Sequence, residues 1–261
     1  MNMLNMVQEG DRLEISSPAT LENVDRIVDE AMRFVSGRLA GDREFDFKLL
    51  LREALINAVV HGCGKARDKT VISRFMLDDE TVRVTVSDDG PGFDWTKRMD
   101  AEPEADETSG RGLMILRLYS DGVSYNASGN CVTIVKRLQA SPAAAASAND
   151  PDDTTNARER DMFEIIKSDG LTIIKPEGDI VASVVEDLKA LMQKALNDAE
   201  GPLAIDLSGA AMIDSMGIGL LIAAHNSLGK KGEKLRLLRP SKDILSLFRT
   251  MRLDKHFIIS D

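Results

Sequence analysis

The chain is poor in cysteine: Cys63 and Cys131 are the only two among 261 residues. They match no metal-ligand spacing and build no disulfide framework, so a reducing cytoplasm is the expected setting. Positive charge is also short. No long Lys/Arg run forms a basic patch, and the formal charge of -10 disfavours a nucleic-acid binder. Nowhere do about 18 uncharged apolar residues run together, and MNMLNMVQEGDRLEIS has no basic flank followed by an apolar core. Neither a membrane span nor a secretory leader is expected. A Walker GxxxxGK[ST] and a strand-linked GxGxxG are both missing, which removes P-loop and Rossmann sites from consideration.

What is present divides in two. The length suits two domains of ordinary size, each able to bury a core. Between them, residues 139–160 (QASPAAAASANDPDDTTNARER) hold no large apolar side chain. Such a segment cannot bury enough surface to offset its ordering entropy, and it is expected to be a flexible linker. The expected domains are therefore 1–138 and 161–261.

In the first, Arg12 to Ser16 is expected as a strand and Thr20 as a helix N-cap. Val24, Ile27, Val28, Met32, Val35 and Leu39 recur at helical spacing. A second helix is expected over Phe45 to His61, ended by Gly62 and Gly64. TVISRFML and TVRVTVSD form a hairpin, a helix spans about Arg111 to Tyr119, and GVSYNA and CVTIVKRL add two strands. Helices first and a mostly antiparallel sheet after give an α+β two-layer sandwich. The second domain alternates: a hairpin MFEIIK/LTIIKPEG, then helices over Ser183 to Asn197, Ser215 to Leu228 and Lys242 to Met251, interleaved with strands PLAIDLS and KLRLL. That order gives an α/β domain with a partly parallel, mixed sheet.

Three clusters in the first domain carry chemistry. Glu53 and Asn57 are four apart and share one helix face, so a carboxylate that can take a proton sits one turn from an amide oxygen that can hold magnesium. Alone, such a pair is usually a solvated helix surface. Asp88 ends a strand, and Asp89-Gly90-Pro91-Gly92 turns the backbone after it. Glycines there admit a planar ring, and a fixed carboxylate can accept from an exocyclic amine, although a plain tight turn uses the same residues. Ser109-Gly110-Arg111-Gly112 opens a helix whose free N–H groups can receive phosphates, with Arg111 adding positive charge; a glycine hinge with a capping serine looks alike. In the second domain, Asp214 and Ser215 sit where a buried strand gives way to an apolar helix. This presents a hydroxyl at a helix N-terminus, and it is also an ordinary N-cap arrangement.

In this order the first three clusters resemble the N, G1 and G2 boxes of the GHKL (Bergerat-fold) ATPases, over roughly Asp11 to Leu138. The short lid from Phe93 to Ser109 is most similar to the anti-sigma-factor serine kinases. The resemblance implies ATP and Mg2+ as cofactors, Glu53 as general base, Asn57 as magnesium ligand and Asp88 as adenine contact, with Gly90, Gly92, Gly110 and Gly112 as backbone supports. Two positions depart from the family pattern. Asn130-Cys131 stands where a Gly-Thr is frequent, and Thr108-Ser109 stands where some members have an arginine, a role Arg111 could take over. Histidine kinases share the ATP fold, but none of His61, His225 and His256 precedes the N box, where their acceptor lies. Met162 to Asp261 resembles a STAS domain of the anti-sigma-factor-antagonist class, and within it Ser215 matches the phosphorylated serine.

Together these resemblances imply a partner-switching regulator that phosphorylates a STAS serine in cis or in trans. The implied partners are STAS antagonists, a sigma factor, a phosphatase for Ser215 and a second copy of the chain. The alternative is a nucleotide-dependent binding scaffold without phosphotransfer; a simple ATP hydrolase is a further one.

Overall fold

The computed structural model describes residues 4–39, 41–95, 110–138, 163–168, 170–198 and 202–260. The expected linker, 139–160, and most of the expected lid lie outside the described residues.

The N-terminal half is a six-stranded antiparallel sheet in the order β1-β2-β3-β4-β6-β5. Its strands are β1 Asn5–Glu9, β2 Arg12–Pro18, β3 Thr70–Leu77, β4 Thr81–Asp88, β5 Gly122–Tyr125 and β6 Cys131–Arg137. Burial alternates along β3, β4 and β6, so one face carries Val71, Phe75, Val82, Val84, Val86, Val132 and Ile134 into the core. The helices α1 Leu21–Phe34, α2 Asp42–Ile56 and α3 Arg111–Tyr119 complete the expected two-layer sandwich. Thr20 caps α1 as its spacing predicts, accepting from the Asn23 N–H at 3.3 Å.

Three boundaries differ from expectation. The apolar repeat of α1 runs on to Leu39, but the helix stops at Phe34. Gly37 has a φ of 76°, and Val35 and Leu39 stay buried from the following turn. Helix α2 starts at Asp42 rather than Phe45 and passes at Asn57 into a π-helical turn, Asn57–Gly62. Strand β1 is exposed along its whole length and so lacks the alternation by which a strand is recognised.

The C-terminal half has a five-stranded mixed sheet in the order β11-β10-β9-β8-β7. Hairpin β7 Phe163–Ser168/β8 Leu171–Pro176 is antiparallel, and β9 Leu203–Asp206, β10 Arg236–Leu238 and β11 Ile258–Ser260 are added in parallel. The three-residue β11 is too short to show a period. Helices α4 Val185–Asp198, α5 Ser215–Gly229 and α6 Lys242–Thr250 cover this sheet. Helix α5 is apolar on nearly every side, burying Ile218, Leu220, Leu221, Ile222, Ala224 and Leu228, as befits the central helix of a layered domain.

The two cores touch. Leu49 of α2 and Ile115 of α3 belong to the C-terminal core, while Ala182 belongs to the N-terminal core and Met216 packs against both. The first turn of α5 thus rests on α2 and α3.

Candidate active site

Helix α2 contains LLLREALI, apolar on both sides of two charges. A helix buried all round leaves Arg52 and Glu53 no solvent to reach, and they are 4% and 0% exposed. Glu53 finds its partner in the other half, and Arg52 has one in each half. Both Glu53 oxygens accept from Ser215: Oε1 from the backbone N–H at 2.8 Å and Oε2 from the hydroxyl at 2.6 Å. Asp214, fully buried, caps α5 by accepting from the Gly217 N–H at 3.0 Å, and its Oδ2 accepts from the Ala182 N–H at 2.7 Å. The Arg52 Nε lies 3.6 Å from that same Oδ2, while its Nη2 donates to Asp25 Oδ1 at 2.6 Å. A second ion pair, Lys48 to Asp179 at 3.3 Å, joins the halves nearer the surface.

Burial pushes the Glu53 carboxyl up to about 7, and the charge of Asp214 adds to the rise. The two hydrogen bonds from Ser215 and the Arg52 charge oppose it. Burial raises Asp214 too, against the pull of Arg52 and its backbone donors. A carboxyl poised near neutrality and in hydrogen-bond contact with a serine hydroxyl has the position and basicity of a general base.

From Glu53 the same helix leads to a second cluster. Asn57 is one turn on, and a Cβ placed on Gly112 would lie 2.7 Å from Glu53 Oε2 and 3.4 Å from Asn57 Oδ1. Glycine there lets α3 approach α2 closely. Among the described residues the buried Asn57 Nδ2 has no hydrogen-bond partner. Five residues further, the end of the π-helical turn meets Asp88, and a Cβ on Gly62 would overlap the Asp88 carboxylate. Asp88 Oδ1 accepts from the Gly90 N–H at 2.7 Å, and burial raises this carboxyl, opposed by that bond. Gly92, at a φ of 75°, passes so close to the Ser128 carbonyl that no side chain fits.

The histidine kinase-like ATPase domain family matches residues 17–136, and the STAS domain family matches residues 162–261. Serine-protein kinase RsbW of Bacillus subtilis is 31% identical over 144 residues, which are 51% of this chain and 89% of that protein. The chain belongs to the anti-sigma-factor serine kinase family, with a STAS domain fused behind the ATPase domain. The anti-sigma F factor of Bacillus velezensis is 29% identical over 110 residues, 39% of this chain and 75% of its own length. Among solved structures, a putative anti-sigma factor antagonist from Thermotoga maritima is similar at 22% identity, over 39% of this chain and 87% of that one, with a TM-score of 0.37.

Of the residues singled out from sequence, Glu53, Asn57 and Gly112 of the ATPase domain converge, and Ser215 of the STAS domain joins them. Asp88, Gly90 and Gly92 form a separate cluster at the far end of the π-helical turn. Gly110 is left-handed, with a φ of 84°, and gives α3 no side-chain cap. Arg111, expected to offer charge to phosphates, is buried at 2% exposure. Ser109 lies outside the described residues. At the departure Asn130-Cys131, the Asn130 Nδ2 donates to the carbonyls of Asp88 and Gly90, each at 3.3 Å, and so ties down the glycine turn. Arg52 and Asp25 went unnoticed in the sequence, and Gly62 was read only as a helix end. The signal for Arg52 was its place inside an apolar helix run, where a charge needs a buried partner.

No helix among the described residues is long and apolar enough to cross a membrane.

Proposed function

We propose that the chain is a cytoplasmic partner-switching regulator in which an ATP-dependent serine kinase domain, 1–138, acts on Ser215 of its own STAS domain, 161–261, across the linker 139–160. The observation that carries this reading is the 2.6 Å hydrogen bond from the Ser215 hydroxyl to Glu53 Oε2. A scaffold without chemistry has no need of a near-neutral buried carboxyl on an acceptor hydroxyl.

In the proposed reaction the Ser215 oxygen attacks the γ-phosphorus of ATP in line, its proton passes to Glu53 Oε2, and ADP leaves. Glu53 then returns the proton to solvent. Burial of the pair excludes water, which favours transfer to serine over hydrolysis. Asp88 would accept from the adenine amine with the oxygen that Gly90 does not engage, and the backbone at Gly92 and Gly110 would support the nucleotide. The residues fit a magnesium ion as well. The side-chain amide of Asn57 has one unpartnered buried atom, and exchange of its O and N would turn that atom into an acceptor. Among the described residues no cluster of three or more His, Cys, Asp or Glu is suited to a metal, so Asn57 would share the ion with the phosphates. Magnesium there would neutralise charge on the triphosphate.

A phosphate on Ser215 adds about -1.5 to -2 of charge beside two carboxylates, Glu53 and Asp214. Undocking relieves that repulsion, and the freed kinase face is then open to a sigma factor or another STAS antagonist. A phosphatase would reset Ser215, and a homodimer is compatible with the arrangement. Incubating the purified full chain with labelled ATP and Mg2+, then mapping the label, tests the reading. Label on Ser215 is expected; phosphate release with no labelled protein would replace it with a simple ATPase.

A further inference from the structure

Glu53 and Ser215 are not the only consecutive residues that clasp across the two domains. Their chain neighbours, Arg52 and Asp214, form a second contact directly behind the first, so that Arg52-Glu53 on α2 grips Asp214-Ser215 at the start of α5. We infer that Arg52 is a positioning residue that recognises the acceptor through Asp214 and thereby sets the Glu53–Ser215 contact. This rests on the kinase reading above for its consequence in catalysis, but not for its consequence in docking.

The argument turns on which partners survive when the domains separate. Asp214 keeps its backbone donors, Gly217, Ala182 and Met216, because all lie in the C-terminal part of the chain. Arg52 keeps Asp25, because α1 and α2 belong to one domain. Only the 3.6 Å approach of Arg52 Nε to Asp214 Oδ2 is made by docking, and the Nε has no hydrogen bond of its own. In the docked state Asp214 is 0% exposed and shares a dry site with Glu53, whose charge it opposes. Without the guanidinium, two carboxylates would be buried together and uncompensated, a cost that falls on the docked state alone. Arg52 therefore selects a partner loop with an acid immediately before the acceptor serine. A serine preceded by a neutral residue would leave Arg52 with Asp25 only.

A double-mutant cycle of Arg52→Met and Asp214→Asn in the full-length chain tests this. Asn still caps a helix, so α5 keeps its start. Two quantities are read: the single-turnover rate of Ser215 labelling, and hydrogen exchange of the Ser215 amide, which donates to Glu53 only when docked. Arg52→Met is expected to slow labelling and to speed Ser215 exchange by about thirtyfold or more, the low end for one partner lost from a buried pair. ATP affinity and exchange in the β3–β4 core should stay within about twofold. Adding Asp214→Asn removes the stranded charge and should return both quantities to within about threefold of Asp214→Asn alone. If Arg52→Met does not fold, Arg52→Gln replaces it with the same expectations. Unchanged labelling and exchange in the Arg52 variant would overturn the inference. So would a loss shared equally by ATP binding and the core, or a loss that Asp214→Asn leaves in place. If the unmutated chain takes up no label at all, the kinase reading fails, and Ser215 exchange by itself decides the role of Arg52.

Discussion

Along the stretch from Glu53 to Gly62, the two ends of the site are satisfied in opposite ways. At the Glu53 end both carboxylate oxygens are taken by Ser215, and the neighbouring Asp214 has backbone donors and a guanidinium. At the other end Asp88 is half-buried and, among the described residues, only its Oδ1 receives a hydrogen bond, from Gly90; between the ends, Asn57 has a buried amide nitrogen with nothing to bond. Unmade hydrogen bonds in a buried place are costly, so native proteins keep few of them. The contrast teaches that the Ser215 end is filled by the chain itself, whereas the Asp88–Asn57 end keeps hydrogen-bonding capacity that the described residues do not use.

The contrast can be broken from either side. The largest effect belongs to Glu53→Ala, which removes the group facing the hydroxyl and touches nothing at the Asp88 end. Phosphotransfer should fall by roughly 10²–10⁴ with ATP affinity within a few-fold, as for loss of a general base. Single-turnover labelling beside calorimetric ATP titration separates the two, and an unimpaired rate would remove Glu53 from the chemistry. Asp88→Asn attacks the opposite end: it brings a donor towards the adenine amine and should weaken ATP binding by about 5–100-fold, the range for an unsatisfied buried polar group. Equal affinity in calorimetry would move the base to another place, and Ser215 exchange should not change in this variant.

A smaller effect sharpens the comparison through pH. Folded, Glu53 titrates near 7, against an ordinary 4.5 when exposed, because burial and Asp214 penalise its charge. A raised carboxyl adds stability that is fully present below pH 4.5 and is lost as pH rises to about 7. Asp214, also raised, tilts the curve the same way. Glu53→Gln should flatten the fall over that window and be more stable than the parent at pH 8, by about 1–3 kcal/mol. Denaturant melts across pH check this; parallel curves would mean that Glu53 is solvated and the domains do not dock. The phosphotransfer rate, by contrast, should rise with pH through about 7 as the base ionises.

Much of this was legible in the sequence where local pattern decides. The β3–β4 hairpin, helix α3 and the capping by Thr20 follow from alternation, spacing and a cap residue, and the structure has them in those places. Glu53, Asn57 and Asp88 stood out because acid and amide at one helix face, and acid before a glycine turn, are chemically pointed combinations. The pairing of Arg52 with Asp214 was not legible: the two residues are 162 positions apart, and neither lies in a pattern that names the other. Nor was the π-helical turn, which leaves no mark in composition. Arg111 stood out because a charge after glycine at a helix start suggests phosphate; its burial comes from the tertiary packing of α3, which no local pattern shows.

The central claim is that Ser215 meets Glu53 within one chain. A coil of 22 residues, the expectation from the composition of 139–160, would span about 5–6 Å × √22, or roughly 26 Å, and would hold the domains at an effective concentration near the millimolar range. The direct test is the initial rate of Ser215 labelling per molecule across a roughly hundredfold dilution of the full-length chain at saturating ATP. A constant rate per molecule, lost in Ser215→Ala, is the result predicted. A rate that falls in proportion to protein concentration would contradict it and make the fused STAS domain a competitor of the kinase's true substrate.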